Sequence, residues 1–302
     1  LPKEIAIDQR RRAELLRIFS LPKPEIAKLL RQKFAPGRPN VYRGWFPAQD
    51  GAASYKEGID MGPDLAYGSS VLVQGDPLLE ATPLPDEQVL PGWRAAAGDY
   101  YRGMERTARA VMGSIARGLG LKEDVFDAAF KGGISTLRLL HYPVRTPQSL
   151  AGIPDEELWV THKGERFHVV GRAHVDSGFV TLLAQDGVDG LQAQRLGGAW
   201  VDVPPTEGSL AVNFGKLLER WTGGRVKATE HRVIGSGRER YSIPFFYEAR
   251  VDAEIAPLPE FGGAGFMPFL YGDYVWASTT KFVEFHGMES MRKPRGAYQE
   301  LA

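Results

Sequence analysis

Apolar residues recur at every third or fourth position in three parts of the chain, which is the spacing of helices that bury one face. Residues 7–34 predict two helices separated at Leu21-Pro22-Lys23-Pro24, where the second proline can occupy a first helical turn. The longest pattern covers residues 91–119, and a third runs from Tyr274 to about Met291. We predict helices over these segments.

Residues 135–251 show a different pattern, in which short runs of β-branched and aromatic residues are separated by glycine-rich turns. The predicted strands cover residues 136–140, 179–183, 200–203, 209–212 and 241–247. One helix is predicted within this region, at residues 216–223, and Gly235-Ser-Gly237 is predicted to form a hairpin turn. Several short strands at this spacing are typical of a β-sandwich or jelly roll.

We therefore predict a mainly β fold with helical cover, in which a double-stranded β-helix (jelly roll) is flanked by N-terminal and C-terminal helices. In this interpretation residues 1–302 form a single domain. Residues 1–134 are its mostly helical N-terminal region, with an irregular stretch at residues 36–90 that is rich in glycine, proline and aspartate. Such long irregular segments in compact domains are often lids or binding loops. The jelly-roll core comprises residues 135–251, and residues 252–302 form a helical C-terminal segment.

The composition narrows the possible functions. Thirty-seven basic residues balance 37 acidic ones, so no overall charge would attract nucleic acid or an anionic membrane. The chain has no cysteine, which excludes disulfides, cysteine nucleophiles and thiolate metal sites. No apolar run is long enough to span a bilayer, and the N-terminus lacks the apolar core of a signal peptide. We expect a soluble, cytoplasmic protein.

His174, Asp176 and His231 are candidate metal ligands. Residues i and i+2 of a β-strand project from the same face, so His174 and Asp176 would point the same way. One distant imidazole would complete a two-histidine, one-carboxylate set, which covers one face of the metal in non-heme Fe(II) oxygenases. Each residue alone has an ordinary explanation, because a His-x-Asp tripeptide arises by chance and single histidines are often only hydrogen-bonded.

Arg240 and Ser242 follow closely and would share one face of a strand rich in aromatic residues. Arginine offers a planar fork of donors that matches a carboxylate, and a serine hydroxyl can add one hydrogen bond. Beside a metal, this pair could hold the far carboxylate of a chelating oxoacid. Alone, the arginine would be interpreted as a surface or salt-bridging residue.

These residues belong to longer motifs that occur in order along the chain. The motifs are Tyr42-Arg-Gly-Trp-Phe-Pro47, Lys56-Glu-Gly-Ile-Asp60, His174-Val-Asp-Ser-Gly-Phe179, Val212-Asn-Phe-Gly215, Thr229-Glu-His231-Arg-Val233 and Arg240-Tyr-Ser242-Ile-Pro244. With them the sequence resembles the iron- and 2-oxoglutarate-dependent oxygenases of the isopenicillin N synthase-like group, from about residue 10 to about residue 290. The family's opening strand and helix have no counterpart in this sequence, because Leu1-Pro2 resembles the residues that follow them.

The resemblance implies that Fe(II) is bound by His174, Asp176 and His231, and that 2-oxoglutarate is held by Arg240 and Ser242. It also implies O2 as a cosubstrate and ascorbate as a reductant. The implied reaction is oxidation of a small organic molecule, with hydroxylation favoured and with release of succinate and CO2. Desaturation and ring formation are alternative outcomes of the same chemistry.

The segment Arg138-Leu-Leu-His-Tyr-Pro143 resembles one in which many relatives have Asn-Tyr-Tyr-Pro. This similarity makes Tyr142 a further candidate contact to the cosubstrate. Leu140 stands where those relatives have asparagine, and His141 is a second departure from their pattern. Phe246 matches a position that often lines the substrate pocket, and an ordinary core aromatic is the alternative interpretation.

Two other functions are compatible with the same residues. An Fe(II) oxidase of this fold would take its electrons from the substrate, without 2-oxoglutarate, and would use Arg240 and Ser242 to bind a substrate carboxylate. A non-catalytic jelly roll would keep a metal or a ligand without chemistry.

Two features of the sequence bear on the substrate. Trp45, Phe46 and Phe246 indicate an aromatic lining of the pocket. Arg43 and Arg138 indicate an acidic group on the bound molecule.

Overall fold

The structure, a computed structural model, describes residues 9–261 and 265–296. The strands are β1 Gly44–Phe46, β2 Glu57–Met61, β3 Thr136–Tyr142, β4 Trp159–His162, β5 Glu165–His174, β6 Val180–Gln185, β7 Leu191–Gln194, β8 Trp200–Asp202, β9 Ala211–Phe214, β10 His231–Ile234, β11 Arg240–Tyr247, β12 Glu254–Ile255 and β13 Phe269–Leu270. The α-helices are α1 Gln9–Leu16, α2 Lys23–Leu29, α3 Asp64–Tyr67, α4 Trp93–Gly118, α5 Asp127–Phe130, α6 Pro147–Leu150, α7 Asp155–Leu158, α8 Lys216–Trp221 and α9 Tyr271–Thr279.

Most of the strands form two antiparallel sheets that face each other. The larger sheet has the order β1-β2-β3-β11-β6-β9, and the smaller has the order β4-β5-β10-β7-β8. Leu140 and Tyr142 of the larger sheet pack together with Val170 and Val233 of the smaller one in a buried cluster. This arrangement, with helices around it, confirms the predicted jelly roll with helical cover.

Alternation along the strands of the larger sheet separates an outer face from an inner face. On β11, Ile243 and Phe245 belong to the core shared with the helices, and the Phe245 ring meets the Tyr101 ring of α4 edge-on at 5.1 Å. Ser242 and Phe246, on the opposite face of the same strand, line the space between the sheets. The two-residue strand period therefore turns Ile243 and Phe245 towards the helices, and Ser242 and Phe246 towards the space between the sheets.

The predicted N-terminal helices are confirmed up to Leu29, and the second is wrong beyond it, because Leu30 forms a β-bridge to Trp45 and the chain then turns. α1, a 3-10 turn at Arg17–Ser20, and α2 are separated at Leu21 and Pro22, as the proline pattern predicts. Residues 7 and 8 of that prediction lie outside the described residues. Among the helices of the described residues, none is both long enough and apolar enough to cross a lipid bilayer.

The predicted C-terminal helix is wrong beyond Thr279. The hydroxyl of Thr280 donates to the carbonyl oxygen of Trp276 at 3.0 Å, and further on Gly287 has a φ of 85°, in the left-handed region. The chain continues as 3-10 turns at Val283–Phe285 and Glu289–Met291 instead of one long helix.

Gly235-Ser-Gly237 does not form the predicted hairpin. It joins β10, which pairs with β5 and β7, to β11, which pairs with β3 and β6. The connection therefore carries the chain from the smaller sheet to the larger one, between His231 and Arg240. The two glycines favour a reversal of the chain, but they do not determine which strands β10 and β11 pair with.

Candidate metal centre

Strand pairing brings together three ligand candidates that are distant in sequence. His174 is the last residue of β5, His231 is the first residue of β10, and the two are direct partners in the antiparallel ladder. Their ring centroids are 4.3 Å apart. Asp176 follows β5, and its Oδ1 lies 3.6 Å from Nε2 of His174 and 3.7 Å from Nε2 of His231. One possible ligand atom from each residue lies within 4.8 Å of those of the other two, so the candidates surround one point.

Hydrogen bonds to the backbone fix both imidazoles. Nδ1 of His174 lies 2.8 Å from the carbonyl oxygen of Arg172, and Nδ1 of His231 lies 3.1 Å from that of Thr229. A carbonyl oxygen only accepts, so each Nδ1 carries the proton and each Nε2 keeps its lone pair for a metal. Burial, followed by the nearby His231, lowers the pKa of His174 to about 4. The imidazole of His174 is therefore neutral near pH 7, as a metal ligand must be.

The carboxylate of Asp176 is oriented by a cross-strand pair. Thr181 on β6 and Asn213 on β9 are direct partners in the larger sheet. Their side chains donate to Oδ2 of Asp176 at 2.6 and 2.7 Å, which leaves Oδ1 facing the histidines. Burial by itself raises the pKa of Asp176, but the two imidazoles and these two hydrogen bonds hold it below its ordinary value. Asp176 is thus an ionised oxygen donor in a fixed orientation.

Close backbone contacts hold the loop that carries this aspartate. The amide of Lys216 donates to the carbonyl oxygen of Asp176, and the amide of Gly215 donates to that of Phe179, both at 2.8 Å. A Cβ atom at Gly215 would lie 2.3 Å from the carbonyl oxygen of Gly178. A larger residue at position 215 would therefore displace the ligand loop.

The donor set fits a first-row divalent metal. Two imidazole nitrogens and one carboxylate oxygen are the ligands of the facial sites that hold non-heme Fe(II). Converging from one side, they would leave the remaining coordination positions open to exogenous ligands.

Arg240 and Ser242 begin β11 and lie on its inner face. Arg240 is 3% exposed, and Ser242 is 2% exposed. Nη2 of Arg240 donates to Oε1 of Gln185 at 3.2 Å, and the guanidinium carbon lies 5.0 Å from the centre of the Tyr142 ring. Nε and Nη1 of Arg240 and Oγ of Ser242 are buried without a hydrogen-bond partner among the described residues. Because buried donors are rarely left unpaired, this set indicates a site for an external acceptor, and the charge of Arg240 indicates an anion.

One cavity joins these two sets of residues, and we call it the first cavity. It is lined by the three ligand candidates and by Arg240, Ser242 and Tyr142. Thr181, which binds Asp176, and Gln185, which binds Arg240, are four residues apart on β6, or about 13 Å at the usual strand rise. The aliphatic residues of its lining are Leu140, Leu183, Leu191, Ala193, Val203, Ala211, Val212 and Val233. A small diacid can therefore extend from the metal to the arginine in surroundings that hold little water.

A second cavity adjoins the first. Lys56, Arg138, Thr181 and Phe246 line both cavities, as do His174 and Asp176. The polar residues found only in the second lining include Tyr42, Asp60, Thr136, Glu248 and Glu284. Two molecules, one in each cavity, would therefore contact the same metal.

Glu248 is a buried acid of the second cavity. Its Oε2 accepts from the hydroxyl of Thr136 at 2.7 Å, and its Oε1 accepts from the hydroxyl of Tyr271 at 3.3 Å. Burial raises the pKa of Glu248 to about 7, against the opposing charge of Arg43. This carboxyl group therefore changes charge near physiological pH.

Strand alternation places the residues of the Asn-Tyr-Tyr-Pro similarity on opposite faces of β3. Leu140 and Tyr142 face the first cavity, so an aliphatic side chain stands where many relatives have asparagine. His141 lies on the opposite face of β3, where it stacks on Tyr241 at 4.5 Å and binds Glu57 through Nδ1 at 2.8 Å.

Of the five residues predicted to contact the substrate, two line a cavity. Phe246 and Arg138 line both cavities. The aromatic lining predicted from Trp45 and Phe46 is wrong, because both are 1% exposed and lie in the packed core instead. Arg43 is fully buried and donates to Thr136 and to a backbone carbonyl, so it does not reach the cavity.

The sequence pattern does not single out Thr181, Gln185, Asn213 or Glu248. The available signal for the first two is their position in Val180-Thr-Leu-Leu-Ala-Gln185, where polar residues stand four apart on one face of an otherwise apolar strand. Asn213 and Glu248 reach the cavities only through strand pairing and burial.

Comparison with known proteins is consistent with this geometry. The family model described as "2OG-Fe(II) oxygenase superfamily" matches residues 136–249. The 2-oxoglutarate-Fe(II) type oxidoreductase hxnY of Emericella nidulans is 36% identical over 223 residues, which cover 72% of this chain and 59% of that protein. A 2-oxoglutarate-Fe(II) type oxidoreductase of Aspergillus fumigatus is 34% identical over 243 residues, 78% of this chain and 67% of that protein. The chain thus spans about three-fifths to two-thirds of the length of these relatives.

Solved structures share the fold. A full-length Neurospora crassa protein, crystallised in complex with alpha-KG and 5-formyluracil, superposes with a TM-score of 0.69 and is 26% identical, over 90% of this chain and 81% of that chain.

Proposed function

Because the chain belongs to the 2OG-Fe(II) oxygenase superfamily, we propose that it is a non-heme Fe(II)- and 2-oxoglutarate-dependent dioxygenase that oxidises a small organic molecule. The family predicted from the sequence motifs is confirmed. Hydroxylation, with release of succinate and CO2, is the proposed reaction. The complex of the Neurospora crassa protein with 5-formyluracil supports a small-molecule substrate. The cytoplasmic location stays a prediction.

His174, Asp176 and His231 are the proposed ligands of Fe(II). When bound, the iron supplies O2 activation and the oxidative decarboxylation of 2-oxoglutarate. The protein keeps both imidazoles in the metal-binding tautomer through their Nδ1 hydrogen bonds. Thr181 and Asn213 donate to Oδ2 of Asp176, so Oδ1 is the oxygen that would hold the metal.

The unpaired donors of Arg240 and Ser242 carry the assignment of 2-oxoglutarate. They are buried, they line the same cavity as the metal ligands, and nothing in the described part of the protein accepts from them. The carboxylate of 2-oxoglutarate that does not chelate the metal would satisfy them with two or more charge-assisted hydrogen bonds. The aliphatic lining strengthens these bonds because it excludes competing water.

The second cavity is the proposed place of the substrate. It adjoins the metal ligands without containing Arg240 or Ser242, so a substrate there does not compete with 2-oxoglutarate for the clamp. Phe246 lies at the boundary of the two cavities, where its ring can position an apolar substrate next to the metal.

Anaerobic titration tests this function. Protein loaded with Fe(II) is titrated with 2-oxoglutarate, and the weak visible metal-to-ligand charge-transfer band of the chelate is recorded. We expect a saturable band in the wild type and no band in Asp176→Asn, which keeps the shape of the side chain but removes its charge. Succinate formation on admission of O2 gives a second readout.

The same titration separates the alternatives. Bound iron without a band on addition of 2-oxoglutarate would contradict the proposal and favour the oxidase. A protein that does not bind iron at all would favour the non-catalytic jelly roll.

A further inference from the structure

Arg138 is a cation that the second cavity presents to a bound molecule. It projects from the inner face of β3, lines both cavities, and its side chain is 20% exposed. Arg31 and Arg43 lie nearby but are fully buried and line neither cavity. A molecule in the second cavity therefore meets the guanidinium of Arg138 close to the metal ligands.

The carboxylate that pairs with Arg138 is shared with a second arginine. Asp60 contacts both Arg138 and the fully buried Arg31, whereas Glu284 acts on the two arginines at longer range. Burial raises the pKa of Asp60, but Arg138 and Arg31 together hold it at about 2, so one ionised carboxylate is hydrogen-bonded to two guanidinium groups. A partly buried guanidinium that shares its bonded carboxylate in this way can donate from its remaining nitrogen to an anionic ligand.

Contacts on three sides fix the orientation of Arg138. Nε and Nη2 donate to the two carboxylate oxygens of Asp60 at 2.5 and 2.8 Å. The ring centres of Phe46 and Phe246 each lie 5.3 Å from the guanidinium carbon. Among the described contacts Nη1 has no protein acceptor, so it is the donor available to a ligand. Because the side chain is already ordered, it loses little further conformational entropy when a ligand binds Nη1.

We propose that Arg138 binds a carboxylate of the substrate, and that the substrate is a small organic acid with an apolar or aromatic body. This inference rests on the proposed function, since it places the substrate in the second cavity. Val275, Phe282 and Phe285 line that cavity together with Phe246 and offer surfaces for the body of the molecule. Arg138 is then a specificity-determining residue that contacts the substrate.

Matched pairs of acids and amides test the proposal. The probes are benzoate, 3-phenylpropanoate, cyclohexanecarboxylate and 2-naphthoate, each compared with its primary amide. Binding to the anaerobic complex of the protein with Fe(II) and 2-oxoglutarate is measured by calorimetry. We expect at least one acid to bind about tenfold or more tightly than its amide, because the acid alone forms a charge-assisted hydrogen bond.

Variants of Arg138 then locate the effect. Arg138→Gln should weaken the binding of that acid by about 10- to 100-fold and leave the affinities for the amide and for 2-oxoglutarate unchanged. Arg138→Lys keeps the charge and should retain part of the preference for the acid. Melting curves of both variants report whether loss of the contact with Asp60 disturbs the fold. The acid–amide comparison in the wild type does not depend on them.

Three results would overturn the proposal. The first is that amides bind as tightly as acids, and the second is that no acid of the panel binds. The third is that Arg138→Gln weakens the binding of acid and amide alike, or weakens the binding of 2-oxoglutarate instead. Absence of the charge-transfer band in the wild type, recorded before any probe is added, counts against the proposed function alone. In that case the calorimetric comparison of acid with amide is made on the Fe(II) protein without 2-oxoglutarate, and it still decides the role of Arg138.

Discussion

Replacement of Arg240 by methionine should separate the function of this residue from its effect on stability. Nε and Nη1 of Arg240 are buried without partners among the described residues, and each unpaired donor costs about 1–3 kcal/mol. The substitution also removes the hydrogen bond to Gln185, which is worth about 1.5–3 kcal/mol for a charged donor. The metal-free variant should therefore be at most about 1 kcal/mol less stable than the wild type, and up to about 4 kcal/mol more stable.

The affinity for 2-oxoglutarate should change in the opposite direction. Two charge-assisted hydrogen bonds to the far carboxylate contribute about 3–6 kcal/mol, so their loss should raise the Kd at least 100-fold, about 2.7 kcal/mol. At a concentration of 2-oxoglutarate near 100 times the wild-type Kd, the ligand stabilises the wild type by about 2.7 kcal/mol and the variant by almost nothing.

Melting curves measure both effects in one experiment. Wild type and Arg240→Met are compared without ligand, with Mn(II), and with Mn(II) plus 2-oxoglutarate. Both should respond to the metal, and only the wild type should respond further to 2-oxoglutarate. Arg238→Met is the matched control, because Arg238 is exposed and neighbours the same strand. A variant that melts several degrees lower without ligand, yet keeps its response to 2-oxoglutarate, would show that Arg240 is a structural residue.

Three further predictions follow from other contacts. Thr181→Val removes one donor to Asp176 at nearly constant volume, and it should weaken metal binding about 10- to 100-fold, as measured by calorimetry. An unchanged affinity would mean that other contacts orient the carboxylate. Gly215→Ala places a Cβ 2.8 Å from the carbonyl oxygen of Asp176 and should lower both metal affinity and Tm. Gly103→Ala is the control and should lower neither, because its Cβ would meet no neighbouring atom within 4 Å. Equal effects in the two variants would show that the close contact at Gly215 does not matter. The pKa of Glu248 rises from 4.5 to about 7 on folding, so the folded state holds its proton more tightly and stability falls as pH rises from about 4.5 through 7, by up to about 3 kcal/mol. Glu248→Gln should remove that dependence in melts between pH 5 and 8, and parallel curves for the two proteins would refute it.

The residues of one strand were predictable from the sequence because their arrangement is local. Arg240, Ser242 and Phe246 share a face through the two-residue period of β11, and the structure places all three on the inner face. The meeting of His174 with His231 depends instead on the register of β5 with β10, and periodicity carries no information about which strands pair. Resemblance to a family supplied that step of the prediction.

The residues that periodicity could not predict owe their roles to pairing or to burial. Asn213 reaches Asp176 because β9 lies beside β6 in a register that sets it opposite Thr181. Trp45 is as aromatic as Phe246, and composition cannot tell that β1 is covered by neighbouring elements while β11 borders a cavity. The C-terminal helix was overextended for a similar reason, since apolar spacing persists in Val283–Phe285 although the chain forms a 3-10 turn there.

Two arginines border the cavities, and the existing partners of each determine what it can bind. Arg240 has two unpaired nitrogens in an aliphatic cavity, so a carboxylate there gains a bidentate partner with little competition from water. Arg138 already gives two nitrogens to Asp60 and keeps only one for a ligand, so a carboxylate there gains a weaker contact. In the proposed reaction a metal-bound diacid is therefore directed to Arg240, and Arg138 stays available to the substrate. The contact between Asp60 and Arg138 then contributes mainly to selectivity, because it weakens the binding of 2-oxoglutarate at Arg138.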